Sequence, residues 1–163
     1  MAIVNIAKKK GFFITKIRSF FEHRALWMYL LCDEARKKGL DPEQFAPAAI
    51  RRCGCFHGQN AVKAGGGKSL KTLQKQLFPF VGRMVFEMKF LRVEDNHFDI
   101  DFHYCPLVSS WQKQGAGDRE MDRMCQWAME GDRGIAGEFG AELDLNKTIA
   151  HGDGVCELRF RRK

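Results

Sequence analysis

The sequence predicts an α+β fold in which helices cover one face of a four-stranded antiparallel sheet. Apolar residues at helical spacing dominate the first half of the chain, whereas two pairs of alternating segments occupy much of the second half. The resulting order, helices then ββ, αα and ββ, is typical of an antiparallel sheet packed on one face. We expect a single domain over 1–163, with a helical part at 1–80 and a ββ-αα-ββ core at 84–161.

Three helices are predicted before the sheet. The first runs from about 12 to 38, where two lysines and Gly39 give a basic last turn and a left-handed stop. Its apolar stripe consists of Phe13, Ile17, Phe20, Trp27 and Leu31. The second helix begins after Asp41 and is expected to break at RRCGCFHG, after about Arg52. Ser69 caps a third, short helix.

Four strands follow from alternation and from the turn residues that join them. The EDNH turn connects the first pair and HGDG connects the second. The predicted strands are 84–92, 98–104, 142–150 and 155–161. Between the pairs, Pro106 begins one helix, Asp118 caps the next, and GDRG restarts a short helix with Asp132 as its cap.

Cys105 stands where the second predicted strand ends and a helix begins. Pro106 fits the first position of a helix, which makes Cys105 the N-cap, although a thiol caps less well than Ser, Thr, Asn or Asp. Unpaired N–H groups at a helix start stabilise a thiolate and lower the pKa of a cysteine. Two interpretations stay open, a reactive thiolate and a small, buried, inert thiol.

Two further cysteines are predicted to lie near Cys105. Cys125 belongs to an apolar helix stripe and Cys156 to the apolar face of the last strand. The three thiols are therefore expected to converge where the helices pack on the sheet.

A compact group of soft ligands occurs after the second helix begins. Cys53, Cys55 and His57 lie close together, but their spacing is unlike that of a structural zinc finger and no clear fourth ligand follows. We predict no metal and no cofactor, and we interpret these side chains as buried or lining a pocket.

Aspartates and histidines offer general acid–base chemistry. Asp132 and Asp153 each have an ordinary structural role as well, as a helix cap and as a turn residue. His57, His103 and His151 are candidate general bases or ordinary histidines, and spacing alone does not rank them.

Composition limits the expected partners. Six cysteines without a secretory signal indicate free thiols in a reducing cytoplasm. The net charge of +7 is spread along the chain without a zinc-finger or RNP-type motif, so nucleic acid is not expected. The apolar run ALWMYLLC is too short to span a membrane. We predict a small-molecule substrate and no membrane partner, and we allow a homo-oligomer.

Four blocks of the sequence resemble a known enzyme family. They are EHRALWMYLLCDEARKKGLDPEQFAPAAIRRCGCFHG at 22–58, FHYCPLVSSWQ at 102–112, MCQWAMEGDRGIAGEFG at 124–140 and KTIAHGDGVCELRF at 147–160. Together they are similar to the bacterial L-2-amino-thiazoline-4-carboxylic acid hydrolases. The resemblance implies a cytosolic hydrolase of cysteine metabolism that opens a cyclic isothiourea to N-carbamoyl-cysteine.

Hydrolysis at the amidine-like ring carbon needs a nucleophile and proton delivery to the departing atom. Either a cysteine thiolate attacks directly or a carboxylate activates water. The expected catalytic residues are Cys105, Cys125, Asp132, Asp153 and Cys156, and the expected substrate-binding residues are His57, His103 and Arg133. Cys105 is the preferred nucleophile, and Arg133 is the expected anchor for a carboxylate.

The order of elements also resembles small-ligand-binding domains related to vinyl-reductase and TRAPP-like proteins. Those domains bind rather than catalyse, so the alternative function is non-catalytic binding with the cysteines lining a pocket. The two functions differ in whether Cys105 has an acid–base partner in a pocket or merely packs.

Overall fold

The computed structural model describes residues 3–162 and has the element order of an α+β fold, which confirms the predicted class. The first half forms α1 (Phe12–Lys37), a 3₁₀ turn (Pro42–Gln44), α2 (Ala46–Gly65), α3 (Leu70–Leu77) and α4 (Phe80–Val85). The second half forms β1 (Met88–Val93), β2 (His97–Phe102), α5 (Pro106–Lys113), α6 (Asp118–Glu138), β3 (Ala141–Leu145), a second 3₁₀ turn (Ile149–His151) and β4 (Cys156–Arg162). Residues 1, 2 and 163 of the predicted domain lie outside the described residues.

The four strands form one antiparallel sheet in the order β1-β2-β4-β3. Phe98 of β2 pairs with Phe160 of β4, and both side chains are fully buried beneath the helices. Alternate residues of these strands point to the opposite face, where Asp101 and Arg159 form an ion pair at 2.9 Å. The sheet therefore has one apolar and one charged face, as the alternation predicts.

Glycines bring α2 and α6 into close contact. A Cβ on Gly54 would lie 1.9 Å from the carbonyl oxygen of Gly131, and one on Gly134 would lie 2.5 Å from that of Arg51. The segment RRCGCFHG is continuous helix, so the break predicted there is wrong. Its glycines allow two helices to approach each other, instead of turning the chain.

α6 is also continuous, which corrects two predicted caps. Asp132 lies in the interior of α6 rather than at the start of a new helix, and Asp118 is the first helical residue rather than the cap. The GDRG glycines do not end the helix because they pack against α2, where Gly131 and Gly134 leave room for its backbone.

Two predicted strand boundaries are wrong. β3 ends at Leu145 rather than near 150, because Thr148 starts a 3₁₀ turn by accepting the N–H of His151 at 3.0 Å. β1 begins at Met88 rather than at 84, because the preceding residues complete α4.

α1 has the predicted length to within one residue, but it buries a different face. Its buried residues are Arg18, Ala25 and Cys32, which are two helical turns apart and share one side. Trp27 and Leu31, from the predicted apolar stripe, are 61% and 67% exposed. Among residues 3–162, no helix is long and apolar enough to cross a membrane.

The buried Arg18 connects α1 to the N-terminal segment and to the start of the sheet. Its guanidinium pairs with Glu87 at 3.0 Å and donates to the carbonyl oxygen of Val85 at 2.9 Å. It also donates to the carbonyl oxygen of Lys9 at 2.7 Å and lies over the ring of Tyr104. These contacts fix the orientation of α1, and with it the residues that α1 contributes to the site.

Candidate functional site

Two adjoining cavities lie beside α1. The first, which we call the helix groove, has a volume of about 260 Å³ and opens between α1 and α2. The second, the sheet cavity, has a volume of about 400 Å³ and lies between the helices and the apolar face of the sheet. Arg24, Leu107, Ala128 and Asp132 line both, so the two cavities meet at a junction formed by these side chains.

The sheet cavity contains the three cysteines that the sequence predicted to converge. Cys105, Cys125 and Cys156 all line it. Much of the remaining wall is aromatic or aliphatic and includes Phe78, Phe86, Phe102, Trp111 and Leu158. The thiols therefore face an apolar space large enough for a small organic molecule.

Cys105 has the predicted N-cap position of α5, with Pro106 at the first helical position. Asn5 holds its backbone on both sides, because the Asn5 amide donates to the Cys105 carbonyl at 2.8 Å and accepts the Cys105 N–H at 2.9 Å. Cys105 is half-buried as a residue, and it lines the sheet cavity.

The electrostatic surroundings of Cys105 differ from the prediction. Burial raises the pKa of its thiol, while the N–H groups at the start of α5 and the charge of Arg24 oppose that shift. The charge of Asp132 raises the pKa of Cys105 further. The predicted low pKa is wrong, because loss of hydration outweighs the helix N-terminus.

Cys125 and Cys156 are more deeply buried thiols. Burial, together with the nearby Cys105, raises the pKa of Cys156 to about 12 and that of Cys125 well above its ordinary value. The sulfur of Cys156 also accepts the backbone N–H of Ile149 at 3.3 Å. Both thiols are protonated at neutral pH, and in that form they are weak nucleophiles.

Asp132 places a carboxyl group at the junction of the two cavities. It is half-buried in the interior of α6, where an aspartate is neither needed as a cap nor favoured by helix propensity. Burial raises the pKa of Asp132 to about 6, against the opposing charges of Arg24 and Arg133. A carboxyl with a pKa near neutrality is suited to both take up and release a proton.

The helix groove is lined by part of the predicted group of soft ligands. Cys53 and His57, one turn apart on α2, face it together with Arg24 and Asp132. Within residues 3–162, no group of three or more His, Cys, Asp or Glu side chains is arranged to hold a metal ion. His57 is thus placed where a polar substrate group entering the groove would meet it.

Three of the predicted site residues lie outside both cavities. Asp153 accepts the N–H of Thr148 at 3.0 Å and so stabilises the 3₁₀ turn before β4. Arg133 pairs with Glu130 at 2.8 Å on the surface of α6, and His103 is exposed at the end of β2. Asp153 and Arg133 therefore each make a structural contact away from the cavities.

Arg24 is a site residue that the sequence patterns did not indicate. It lies on α1 among the residues of the apolar stripe, and no motif or spacing marks it. Its charge reaches the junction, where it opposes the rise in the pKa of both Cys105 and Asp132. A guanidinium in this place can bind a carboxylate through paired N–H donors. Its place at the junction depends on the packing of α1 against α5, which no local sequence pattern contains.

Comparison with known proteins gives a family and a fold. A sequence model of the L-2-amino-thiazoline-4-carboxylic acid hydrolase family matches residues 18–160. A search of curated proteins gives no significant match. A trafficking protein particle complex subunit 3 from Naegleria fowleri, covalently bound to palmitic acid, has a similar structure, with a TM-score of 0.56 and 16% identity over 91% of this chain and 96% of that chain. At this identity the likeness shows the fold alone.

Proposed function

Since the chain belongs to the L-2-amino-thiazoline-4-carboxylic acid hydrolase family, we propose that it hydrolyses a small cyclic amidine at the junction of the two cavities. The observation that carries the proposal is the placement of Asp132. Its carboxyl has a pKa of about 6, lines both cavities, and acts electrostatically on Cys105. Such a group provides the acid–base partner that separates a hydrolase from a purely binding domain.

The charges at the junction suit 2-amino-thiazoline-4-carboxylate. Arg24 is the anchor we propose for the substrate carboxylate, in place of Arg133, which is paired with Glu130 outside the cavities. With its carboxylate at Arg24, the ring can extend into the sheet cavity toward Cys105. The ring carbon between nitrogen and sulfur then faces a nucleophile and a proton acceptor.

The proposed reaction has two steps. In the first, Asp132 takes the proton of the Cys105 thiol as its sulfur bonds to the ring carbon, and the bond from that carbon to the ring sulfur breaks as Asp132 returns the proton. In the second, Asp132 takes a proton from water, water oxygen bonds to the same carbon, and the bond to Cys105 breaks with return of the proton. The product is N-carbamoyl-cysteine. A base is required because burial raises the pKa of Cys105.

A direct attack by water, activated by Asp132, gives the same product without a covalent step. Replacing Cys105 distinguishes the two routes. Cys105→Ala abolishes turnover if the thiol is the nucleophile and retains much of it if water attacks directly. Cys125→Ala is the matched control, because that thiol lines the same cavity but is protonated at neutral pH.

The proposal is tested by incubating the purified chain with 2-amino-thiazoline-4-carboxylate and following N-carbamoyl-cysteine by mass spectrometry. Asp132→Asn is expected to lower kcat by about 100-fold or more, because it removes the proton acceptor. Arg24→Gln is expected to raise KM by about 10-fold or more, because it removes a charged partner of the carboxylate. Full activity in Asp132→Asn, or no hydrolysis by the unmodified chain, would contradict the proposal.

The wall of the sheet cavity supports a second candidate, non-catalytic binding of an apolar ligand. Phe78, Phe102 and Trp111 line a space that a zwitterionic thiazoline fills with few matching contacts. The structurally similar trafficking subunit carries palmitic acid, which makes a saturated fatty acid a suitable probe. Calorimetric titration with dodecanoate is the test. Binding that Leu158→Asp removes, combined with no turnover of the thiazoline, would favour this second function.

A further inference from the structure

The side of α1 that faces away from the molecule is strongly apolar. Its exposed large side chains are Phe12, Phe13, Phe20, Trp27, Leu30 and Leu31, which we call the α1 face. The four aromatics are 61% to 89% exposed, so at about 200 Å² each they leave roughly 500 Å² of aromatic surface in water. An exposed apolar surface of this size matches the largest patch of a typical soluble monomer, and such patches are often interaction sites.

We propose that the α1 face pairs with the α1 face of a second copy of the chain, so that the protein is an antiparallel homodimer. The spacing of the face supports a helix pair. Phe13, Phe20 and Trp27 are seven residues apart, and Leu30 follows Trp27 at the three-residue step of a heptad. Residues seven apart lie on one side of a helix, so these side chains form a row along which a second helix can pack.

The heptad spacing also defines a register. With the twofold axis at the level of Ala25, Phe20 packs on Leu30 of the partner subunit. In the same register, Trp27 packs on His23 of the partner subunit. Within one chain, Trp27 donates to His23 at 3.0 Å, so these two side chains already form a unit that can stack on its twofold copy.

The charges on the α1 face favour the antiparallel direction. Lys16 lies toward the start of the face, and Glu34, which also pairs with Lys37 of its own chain at 2.8 Å, lies toward its end. Antiparallel pairing brings Lys16 opposite Glu34 of the partner subunit, and the twofold axis repeats that pair. A parallel, in-register pairing would oppose Lys16 to Lys16 and Glu34 to Glu34, which is unfavourable.

The available area is sufficient for a stable dimer. A standard interface buries about 800 Å² on each partner, and the aromatic side chains of the α1 face supply more than half of that. Leu30, Leu31 and the polar margins supply the remainder. Arg24 and Met28, which line the helix groove, lie beside the face, so the dimer places the partner helix next to the mouth of the groove.

The oligomeric state of the full chain is the test, measured by light scattering with size-exclusion chromatography over a range of concentrations. We expect twice the chain mass, and we expect Phe20→Arg and Trp27→Arg each to raise the dissociation constant by about 30-fold or more. Phe80→Arg is the matched control, because Phe80 is 70% exposed but belongs to α4 and not to the α1 face. All three variants should keep the far-ultraviolet circular dichroism of the original chain.

Charge exchange and cross-linking test the register. Lys16→Glu or Glu34→Lys alone is expected to weaken the dimer about two- to five-fold, and the double exchange is expected to restore it. The pair Phe20→Cys with Leu30→Cys should cross-link the two copies under mild oxidation, whereas Phe20→Cys alone should not, since only a parallel dimer juxtaposes that position with its copy.

Three results would overturn the inference. They are a monomer at all concentrations, a dimer that Phe20→Arg leaves intact, and a monomer whose α1 face binds vesicles of phosphatidylserine in place of a second copy. The last result would assign the same exposed surface, together with the nearby lysines, to a membrane interface.

Discussion

The folded chain holds the carboxyl of Asp132 in surroundings that disfavour its charge. Burial raises the pKa of Asp132 from the ordinary value of 3.8 to about 6. The folded state therefore binds this proton more tightly than the unfolded state does, and its stability falls as pH rises from about 4 to about 6. Above pH 6 the ionised form carries the full free-energy cost of this burial, and a cost of this kind is common at functional sites.

Asp132→Asn should therefore stabilise the folded chain at neutral pH while removing activity. The substitution removes the free-energy cost of ionising the buried carboxyl. That cost is at most about 3 kcal/mol, because a change of one pKa unit corresponds to about 1.4 kcal/mol. Thermal unfolding followed from pH 4 to pH 8 checks the prediction. The difference in stability between the variant and the original chain should grow up to about pH 6 and then stay constant. A variant that is less stable at pH 7 would show that Asp132 has a packing role instead.

The reactivity of Cys105 should respond to its charged neighbours in opposite directions. Asp132 raises the pKa of Cys105 and Arg24 lowers it. Asp132→Asn is therefore expected to speed alkylation of Cys105 by iodoacetamide at pH 8, and Arg24→Gln is expected to slow it, each by about three-fold or more.

Peptide mass mapping of alkylated samples separates Cys105 from an internal control. The pKa of Cys32 is raised by burial and influenced by Arg36 and Glu120 rather than by the junction. The rate at which iodoacetamide alkylates Cys32 should therefore be the same in both variants as in the original chain. Equal changes at Cys32 and Cys105 would mean that the substitutions loosen the whole chain.

The contact between α2 and α6 depends on residues without side chains. Backbone carbonyls occupy the space that a Cβ on Gly54 or Gly134 would need, and backbone cannot move aside as a flexible side chain can. This contact also carries the site, because α2 supplies His57 and α6 supplies Asp132 to the same groove. Helix packing at the glycines thus sets the width of the helix groove.

Gly54→Ala is expected to destabilise the chain by several kcal/mol, since its methyl group would overlap the carbonyl of Gly131 and force the helices apart. Gly137→Ala is the matched control on α6, because no atom lies within 4 Å of the added Cβ. That variant should be neutral or more stable by up to about 1 kcal/mol. Urea denaturation of both variants measures the difference, and equal stabilities would contradict the packing argument.

The helices and the sheet share one apolar interior across the whole molecule. Buried residues from α1, α2, α3, α5, α6 and every strand except β1 belong to one continuous cluster, and β1 contributes partly buried residues packed against it. A shared interior of this kind favours cooperative unfolding, which is the behaviour that the single-domain prediction requires.

Unfolding in urea is therefore expected to be a single transition. Far-ultraviolet circular dichroism, which reports all helices, should coincide with the fluorescence of the buried Trp111 and Trp127. The measurement uses a fixed protein concentration, because a dimer formed through α1 would make the urea concentration at the midpoint of unfolding depend on protein concentration. Two separated transitions would show that the helical part and the sheet core unfold as independent domains.

The sequence by itself determined the class of the fold, most of the helix starts and the position of Cys105. These features depend on neighbouring residues, since alternation, capping and the fixed φ of Pro106 act within a few positions of the chain. The family, too, was evident from four blocks of sequence, and the family match over 18–160 confirms it.

Tertiary structure decided which residues form the candidate site. Gly54 and Gly134 resemble helix breakers until a second helix packs on them, and Asp132 resembles a cap until α6 is seen to be continuous. The direction of the pKa of Cys105 depends on how much water the surrounding elements remove, which no local pattern contains. Arg24 lines both cavities because of the way α1 packs beside α2 and α5, and contacts between segments so far apart in the chain are not contained in any local pattern.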